Sequence, residues 1–323
     1  MSLPASLSNK LALPAVAAPM FLVSGPDLVV EACRAGVIGT FPALNQRTSE
    51  GYEAWLCEIR QRLEHIDAAP FGGNLIVHKT NPRLEQDLAI TVKHKVPLVI
   101  TSMGAVKDLV DVIHSYGGIV FHDIIQMHHA RKAAEAGVDG LITVCAGAGG
   151  HAGTLNPFAF LAEVRAFFDK TVILSGCITN GREIAAARLL GADLAYLGTR
   201  FIATRESRAP QEYKEMLVSA SAKDVFYTSA ISGVHANFLR PSVVAAGIDP
   251  DNLPTNVKMD FGAEHEARVW RDVWSAGQGV GDIHDIPSTA DLCARLTREY
   301  HQALDSCRRP SLDDGQFQMA GMR

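Results

Sequence analysis

Gly140-Leu-Ile-Thr-Val144-Cys145-Ala-Gly-Ala-Gly-Gly-His151-Ala-Gly153 is a short apolar run that gives way to a glycine-rich loop around one imidazole. Gly140 to Val144 reads as a buried parallel strand. The glycines and alanines that follow let the main chain take positive φ and lie close to a large flat ligand. A histidine in their midst can take or give a proton near neutral pH. A glycine-rich turn carrying a surface histidine is the plainer alternative, and the loop alone does not separate the two.

The same pattern repeats on both sides. Apolar runs begin at Ala15, Val37, Phe71, Pro97, Gly118, Gly140, Val172 and Leu194, with amphipathic stretches between them. Helices are expected to open at Ser24-Gly25-Pro26-Asp27, at Asn81-Pro82 and at Asn156-Pro157, where a proline in the first turn gives up an N–H that has no helical partner anyway. Another runs from Asn180 to Leu190 and stops at Gly191. Eight strand–helix units at a spacing of roughly 20 to 25 residues predict a (β/α)8 TIM barrel. The rival, a doubly wound open sheet, calls for G-x-G-x-x-G after an early strand, and the chain has none.

After the eighth strand the regularity fails. Helices are expected over Pro210–Ala222, Pro241–Ala246 and Ala263–Ser275, the last with Trp270 and Trp274 as packing residues. An extended segment is expected over Val225–Ile231, and a closing amphipathic helix over Ser288–Leu304. The division that follows is a barrel core over 1–203, a mainly helical insertion over the mouth at 204–280, and a C-terminal helix on the barrel with a loose tail at 281–323.

The 323 residues are 47% apolar with a formal charge of −5, enough for a large core and unlike a nucleic-acid binder. The six cysteines (Cys33, Cys57, Cys145, Cys177, Cys293 and Cys307) form no C-x-x-C pair and no metal spacing, which suits a reducing compartment. Two prolines interrupt the apolar residues after Lys10, so the start of the chain reads as a first strand, and a cytoplasmic protein is expected. No apolar run approaches the roughly 18 residues of a membrane span. No metal site is expected: His128 and His129 open a helix and read as exposed.

Barrel sites lie at the C-terminal strand ends, and the loops after strands seven and eight often hold a phosphate. Here they read Ser175-Gly176-Cys177-Ile178-Thr179-Asn180-Gly181 and Leu197-Gly198-Thr199-Arg200. Free amides at the start of the helix after strand seven would face an anion, and the Thr199 hydroxyl would add a donor. Glycines that merely end strands are the competing reading.

Ala18-Pro19-Met20, Gly73-Asn74, Ala148 to Gly153, Ser175 to Ile178 and Gly198-Thr199-Arg200-Phe201 together resemble the nitronate monooxygenase family, also called 2-nitropropane dioxygenase-like. The likeness runs from about Ala15 to Gly281 and includes a return loop around Gln278. It implies FMN across the strand ends of a TIM barrel, its phosphate held by Ser175, Gly176, Cys177, Gly198 and Thr199. It further implies that Ala18, Pro19 and Met20 line the ring, that Asn74 bonds to it, that Ala146, Gly149, Gly150 and Gln278 lie close, and that His151 is the acid–base residue. Asp123 is a candidate flavin contact, and a carboxylate at a helix start accounts for it equally. Cys177 stands where many relatives carry a second glycine. Tyr227 and His235 fall in the insertion, and Tyr227 reads as packing.

The implied reaction converts alkyl nitronates and O2 to a carbonyl compound and nitrite. An FMN-dependent NAD(P)H:quinone or enoyl-thioester reductase is the second reading, because these loops bind flavin and do not choose the substrate. A non-enzymatic flavin binder is the third. The partners expected are a small-molecule substrate and O2, with a homodimer left open.

Overall fold

In the computed structural model, described over residues 3–104, 107–253 and 271–308, eight parallel strands close into a barrel. They are β1 (Ala15–Ala17), β2 (Ile38–Pro42), β3 (Phe71–Ile76), β4 (Leu98–Ser102), β5 (Ile119–Ile124), β6 (Gly140–Val144), β8 (Thr171–Ser175) and β9 (Leu194–Leu197). β9 pairs back to β1, with Val16 opposite Tyr196. The remaining strands, β7 (Gly150–His151), β10 (Val225–Thr228) and β11 (Ala236–Leu239), form a separate antiparallel sheet in the order β10-β11-β7.

The two-residue period of the strands sorts the barrel side chains into two layers. Val16, Ile38, Leu98, Ile100, Phe121, Ile142, Ile173 and Leu194 point inward and pack on one another, and Leu7 of the N-terminal segment joins this inner cluster. The intervening residues, among them Ala17, Val99, Val120, Leu141 and Leu174, pack against the surrounding helices. The same parity turns Ala18, Asn74, Ser102, Asp123, Ser175 and Tyr196 inward at the C-terminal ends of their strands. The barrel is therefore apolar through its depth and polar at its mouth.

Helices fall where the sequence places them at Pro26–Arg34, Pro157–Arg165 and Gly181–Leu189, and another spans Ser49–Leu63. One start differs. The helix expected from Asn81-Pro82 begins at Leu84. The Asn81 side chain accepts a bond from the Arg83 amide at 3.1 Å and donates to the Ile76 carbonyl at 2.9 Å, closing a turn before the helix.

Beyond β9 lie the helices Gln211–Ser219 and Arg240–Ala245, together with the hairpin made by β10 and β11. The sheet these strands build with β7 was not expected from the sequence. The helix expected over Ala263–Ser275 falls largely, with Trp270, outside the described residues. Trp274 stacks on Tyr213 at 4.8 Å and 10°. The closing helix runs Thr289–Arg308, and the tail after it lies outside the described residues.

This last helix crosses the helix Gly181–Leu189 at very close range. A Cβ on Gly181 would stand 2.2 Å from the Leu296 carbonyl oxygen and 2.4 Å from the Tyr300 nitrogen. The Gly181 amide also donates to Glu299 at 2.8 Å. Gly181→Ala should force the helices apart and destabilise the fold by about 1–3 kcal/mol, the usual cost of overpacking. Equilibrium denaturant unfolding reads this, and an unchanged midpoint would refute the close crossing.

Candidate active site

The loop after β6 is built on positive-φ glycines. Gly147 has φ +80° and Gly150 φ +67°, conformations that L side chains rarely adopt. Gly150 and His151 then straighten into β7 and pair with β11, His151 opposite Ala236 and Gly150 opposite Asn237. Three further bonds clasp the loop. The buried Asn237 amide donates to the Ala148 carbonyl at 2.7 Å, the Ala152 amide to the His235 carbonyl at 3.3 Å, and the Tyr227 hydroxyl to the Ala152 carbonyl at 2.9 Å. Tyr227 also stacks on His235 at 5.1 Å. The insertion thus fixes the backbone of His151 from one side.

His151 is half-buried, with its ring nitrogen Nε2 shielded from solvent. Burial disfavours the imidazolium and pushes its pKa down to about 4. At neutral pH the ring is uncharged.

The return loop seals the other side. The Gln278 amide donates to the Gly147 carbonyl at 2.8 Å, and the Gly277 amide to Thr199 Oγ1 at 2.9 Å. Thr199 uses its oxygen there, so its own O–H stays available as a donor. The Gly198 position is open: a Cβ there would meet only Ala18 and Met20 atoms, at 3.8–3.9 Å.

Ala18, Pro19 and Met20 sit in a turn locked by Ser24 and Asn45. Ser24 Oγ accepts from the Met20 amide at 2.9 Å and donates to the Ala18 carbonyl at 3.2 Å. Asn45 donates to the carbonyls of Met20 and Ser24 at 3.0 and 2.7 Å. At the ends of β3, β4 and β5 a polar chain crosses the mouth. Asn74 donates to Ser102 Oγ at 2.8 Å, and Ser102 donates to Asp123 Oδ2 at 2.5 Å. Asp123 Oδ1 is shielded from solvent and makes no hydrogen bond. Burial raises the carboxyl pKa to about 6, against the Ser102 bond that lowers it. Tyr196 faces the same space, and burial together with the Asp123 charge pushes its phenol well above the ordinary value. His122, on the opposite face of β5, turns away to Thr101 Oγ1 at 2.7 Å.

The helix start after β8 is not free to bind an anion. Glu183 Oε2 accepts from the Thr179 amide at 2.5 Å, the Thr179 hydroxyl at 2.9 Å and the Asn180 amide at 3.2 Å. Glu299 takes the Gly181 amide, and Asn180 caps the Glu183 amide at 2.9 Å. The chain's own side chains fill the positive end of that helix, so the amides of Thr179, Asn180, Gly181 and Glu183 are spent. The amides of Cys177, Gly198 and Thr199 make no backbone hydrogen bond among the described residues. Gly176 has φ +131° and Cys177 φ +55°, so the loop bends through two left-handed residues, and a glycine at 177 would relieve the second. Burial raises the Cys177 thiol pKa, with the Glu183 charge adding to it, so the thiol stays protonated.

The structure thus brings Ala18–Met20, Asn74, Asp123, Ser175, Gly198 and Tyr196 to the strand ends, beneath the loop of Ala146, Gly149, Gly150 and His151. Sequence reading missed Ser102 and Tyr196, which the two-residue parity could have supplied, and Asn237, which carries no local signal. Among the described residues no group of His, Cys, Asp or Glu is arranged to hold a metal ion, and no helix is long and apolar enough to cross a membrane.

The nitronate monooxygenase family profile matches residues 6–299, and the chain belongs to that family of oxidoreductases. A nitronate monooxygenase of Paraburkholderia phytofirmans is 25% identical over 92% of this chain and 94% of its own. A 5-hydroxy-7a-methyl-1-oxo-octahydro-1H-indene-4-carboxyl-CoA dehydrogenase of Rhodococcus jostii is 26% identical over 72% of this chain and 64% of its own. Two solved structures share the fold with TM-scores of 0.78. Thermotoga maritima FabK is 24% identical and covers 95% of this chain and 99% of its own. The nitroalkane oxidase of Streptomyces ansochromogenes is 23% identical and covers 94% and 100%.

Asn237→Ala would leave the Ala148 carbonyl without its donor, a loss of about 1–3 kcal/mol for a buried acceptor. Amide hydrogen exchange at Gly150 and His151 should accelerate by about tenfold or more. Unchanged protection would show that the clasp does not hold the loop.

Proposed function

We propose that the protein oxidises alkyl nitronates with O2, to a carbonyl compound and nitrite, on an FMN held across the strand ends. Family membership supports the reaction class. The fit of the mouth supports the cofactor: open space at Gly198, unused amides at Cys177, Gly198 and Thr199, and a carboxyl oxygen at Asp123 that lacks a donor. When bound, FMN supplies electron transfer and the reaction with O2. Ala18, Pro19 and Met20 line the ring, and Asn74, Asp123 and Gln278 lie at its polar edges. Ala146, Gly149 and Gly150 bring main chain close to it. Ser175, Gly176, Cys177, Gly198 and Thr199 surround the phosphate, which lies over the loop amides and away from the helix start that Glu183 and Glu299 occupy.

The observation that carries the reading is the neutral imidazole of His151, on a loop that pairs with β11 and is bonded at Gly147 to the return loop. An uncharged ring accepts a proton from the α-carbon of a nitroalkane. It offers little electrostatic hold on an anion that arrives already ionised. His151 therefore acts as a base, which extends the substrate range from nitronates to neutral nitroalkanes.

His151→Asn should cost roughly 10²-fold or more in kcat/KM with a neutral nitroalkane, the usual scale of general-base catalysis, and much less with preformed nitronate. The sign of the pH effect follows from the depressed pKa. The base works while unprotonated, so the His151 limb of the nitroalkane profile should fall only as pH drops towards about 4. Equal losses on both substrates would exclude a proton-transfer role. Adding NADH or NADPH to the anaerobic oxidised enzyme, with ethylnitronate in parallel, separates the oxidase from the reductase reading by which one bleaches the flavin.

The purified protein should be yellow and release FMN on denaturation. Gly198→Glu should fold, since a Cβ fits there, yet lose FMN through repulsion between carboxylate and phosphate. Full FMN occupancy in a folded Gly198→Glu, checked by circular dichroism and flavin absorbance, would place the phosphate elsewhere.

A further inference from the structure

We propose that Asp123 is a second acid–base residue of the mouth, exchanging a proton with the edge of the flavin ring as the ring is reduced and reoxidised. The proposal rests on the FMN reading above.

The geometry carries it. Asp123 points inward at the end of β5, in the layer of side chains that a ring across the strand ends must cover. Every neighbouring bond converges on one of its oxygens: Asn74 from β3 donates to Ser102, and Ser102 from β4 donates to Oδ2. Oδ1 is left buried and without a partner, the arrangement of a group that completes its hydrogen bonding with a ligand. No salt bridge joins Asp123 among the described residues. The groups facing it are Asn74 and Ser102, which do not titrate, and Tyr196 from β9, which stays protonated. His122 points to the other face of the strand, and His151, from the β6 loop, is the other titratable group of the mouth.

A carboxyl with one satisfied and one open oxygen suits proton exchange. With FMN bound, a protonated Asp123 would give its Oδ1 proton to a basic nitrogen at the ring edge, the O–H bond breaking as the N–H bond forms. On reoxidation by O2 the carboxylate would take that proton back at Oδ1. No electron passes through the carboxyl. The pKa of about 6 lets Asp123 hold either protonation state near neutral pH, where His151 is uncharged.

The test is the midpoint potential of the bound flavin, followed from pH 5 to 8 by dye equilibration under anaerobic conditions. The wild-type plot should change slope near pH 6, where Asp123 titrates. Asp123→Asn should remove the break, and His151→Asn should leave it in place. Ser102→Ala removes the bond that lowers the Asp123 pKa, so the break should move to higher pH. A break that persists in Asp123→Asn, or a wild-type plot without one, overturns the proposal while the FMN reading stands. Should Asp123→Asn fail to hold flavin, Ser102→Ala decides: a shifted break supports the proposal and an unshifted one overturns it. A wild-type protein that takes up no FMN, read from absorbance alone, overturns both.

Discussion

At Gly149 there is no room for a side chain. A Cβ would stand 2.8 Å from the Gly277 nitrogen, 3.0 Å from the Ala276 carbonyl carbon and 3.1 Å from Thr199 Oγ1. Three segments far apart in sequence therefore meet through backbone: the loop after β6, the helix start after β9 and the return loop. Backbone contact of this kind is stiffer than contact through long side chains, because few rotatable bonds separate the partners. The bonds Gln278 to Gly147 and Gly277 to Thr199 run across the same junction. The position of His151 is inherited from it, since β7 begins one residue after Gly149.

The self-capped helix at Asn180 shows how electrostatics redirects a binding corner. A free helix start would attract an anion through its dipole and its unpaired amides. Here Glu183 and Glu299 place two carboxylates against those amides, and a third anion would meet their repulsion. Glu299 belongs to the closing helix, so the same bond that quenches the corner also pins that helix to the barrel. In the strand-end loops the amides of Cys177, Gly198 and Thr199 are unspent, and no carboxylate intervenes among the described hydrogen bonds.

The barrel was legible because its signal is local: an apolar run for each strand, and proline or glycine punctuation for each helix. The Gly-Gly-His loop was legible for the same reason, since composition alone announces close approach. Asn237 was not, because its meaning depends on β11 pairing with β7, a contact between residues nearly ninety positions apart. Short strands that pair over such distances leave no periodicity to read. Glu183 was visible as a helix-start residue, but whether it faces solvent or its own helix amides is decided by the capping box that Asn180 completes. Asp123 was visible as a residue, while its consequence, an oxygen without a donor, required the neighbours to be in place.

His151 and Asp123 show one cause acting on two charges of opposite sign. Burial lowers the pKa of the base to about 4 and raises that of the acid to about 6, each toward its neutral form. Were they an ion pair, each would hold the other charged and the shifts would run the opposite way. The mouth therefore holds an uncharged imidazole at neutral pH and no fixed positive charge on His151. It presents no imidazolium to an entering anion, and its carboxyl is largely ionised above pH 6. What the mouth offers a ligand in place of a cation is dipoles, the hydroxyls and main-chain amides at the strand ends, which cost less to bury than ions and lose less strength to salt.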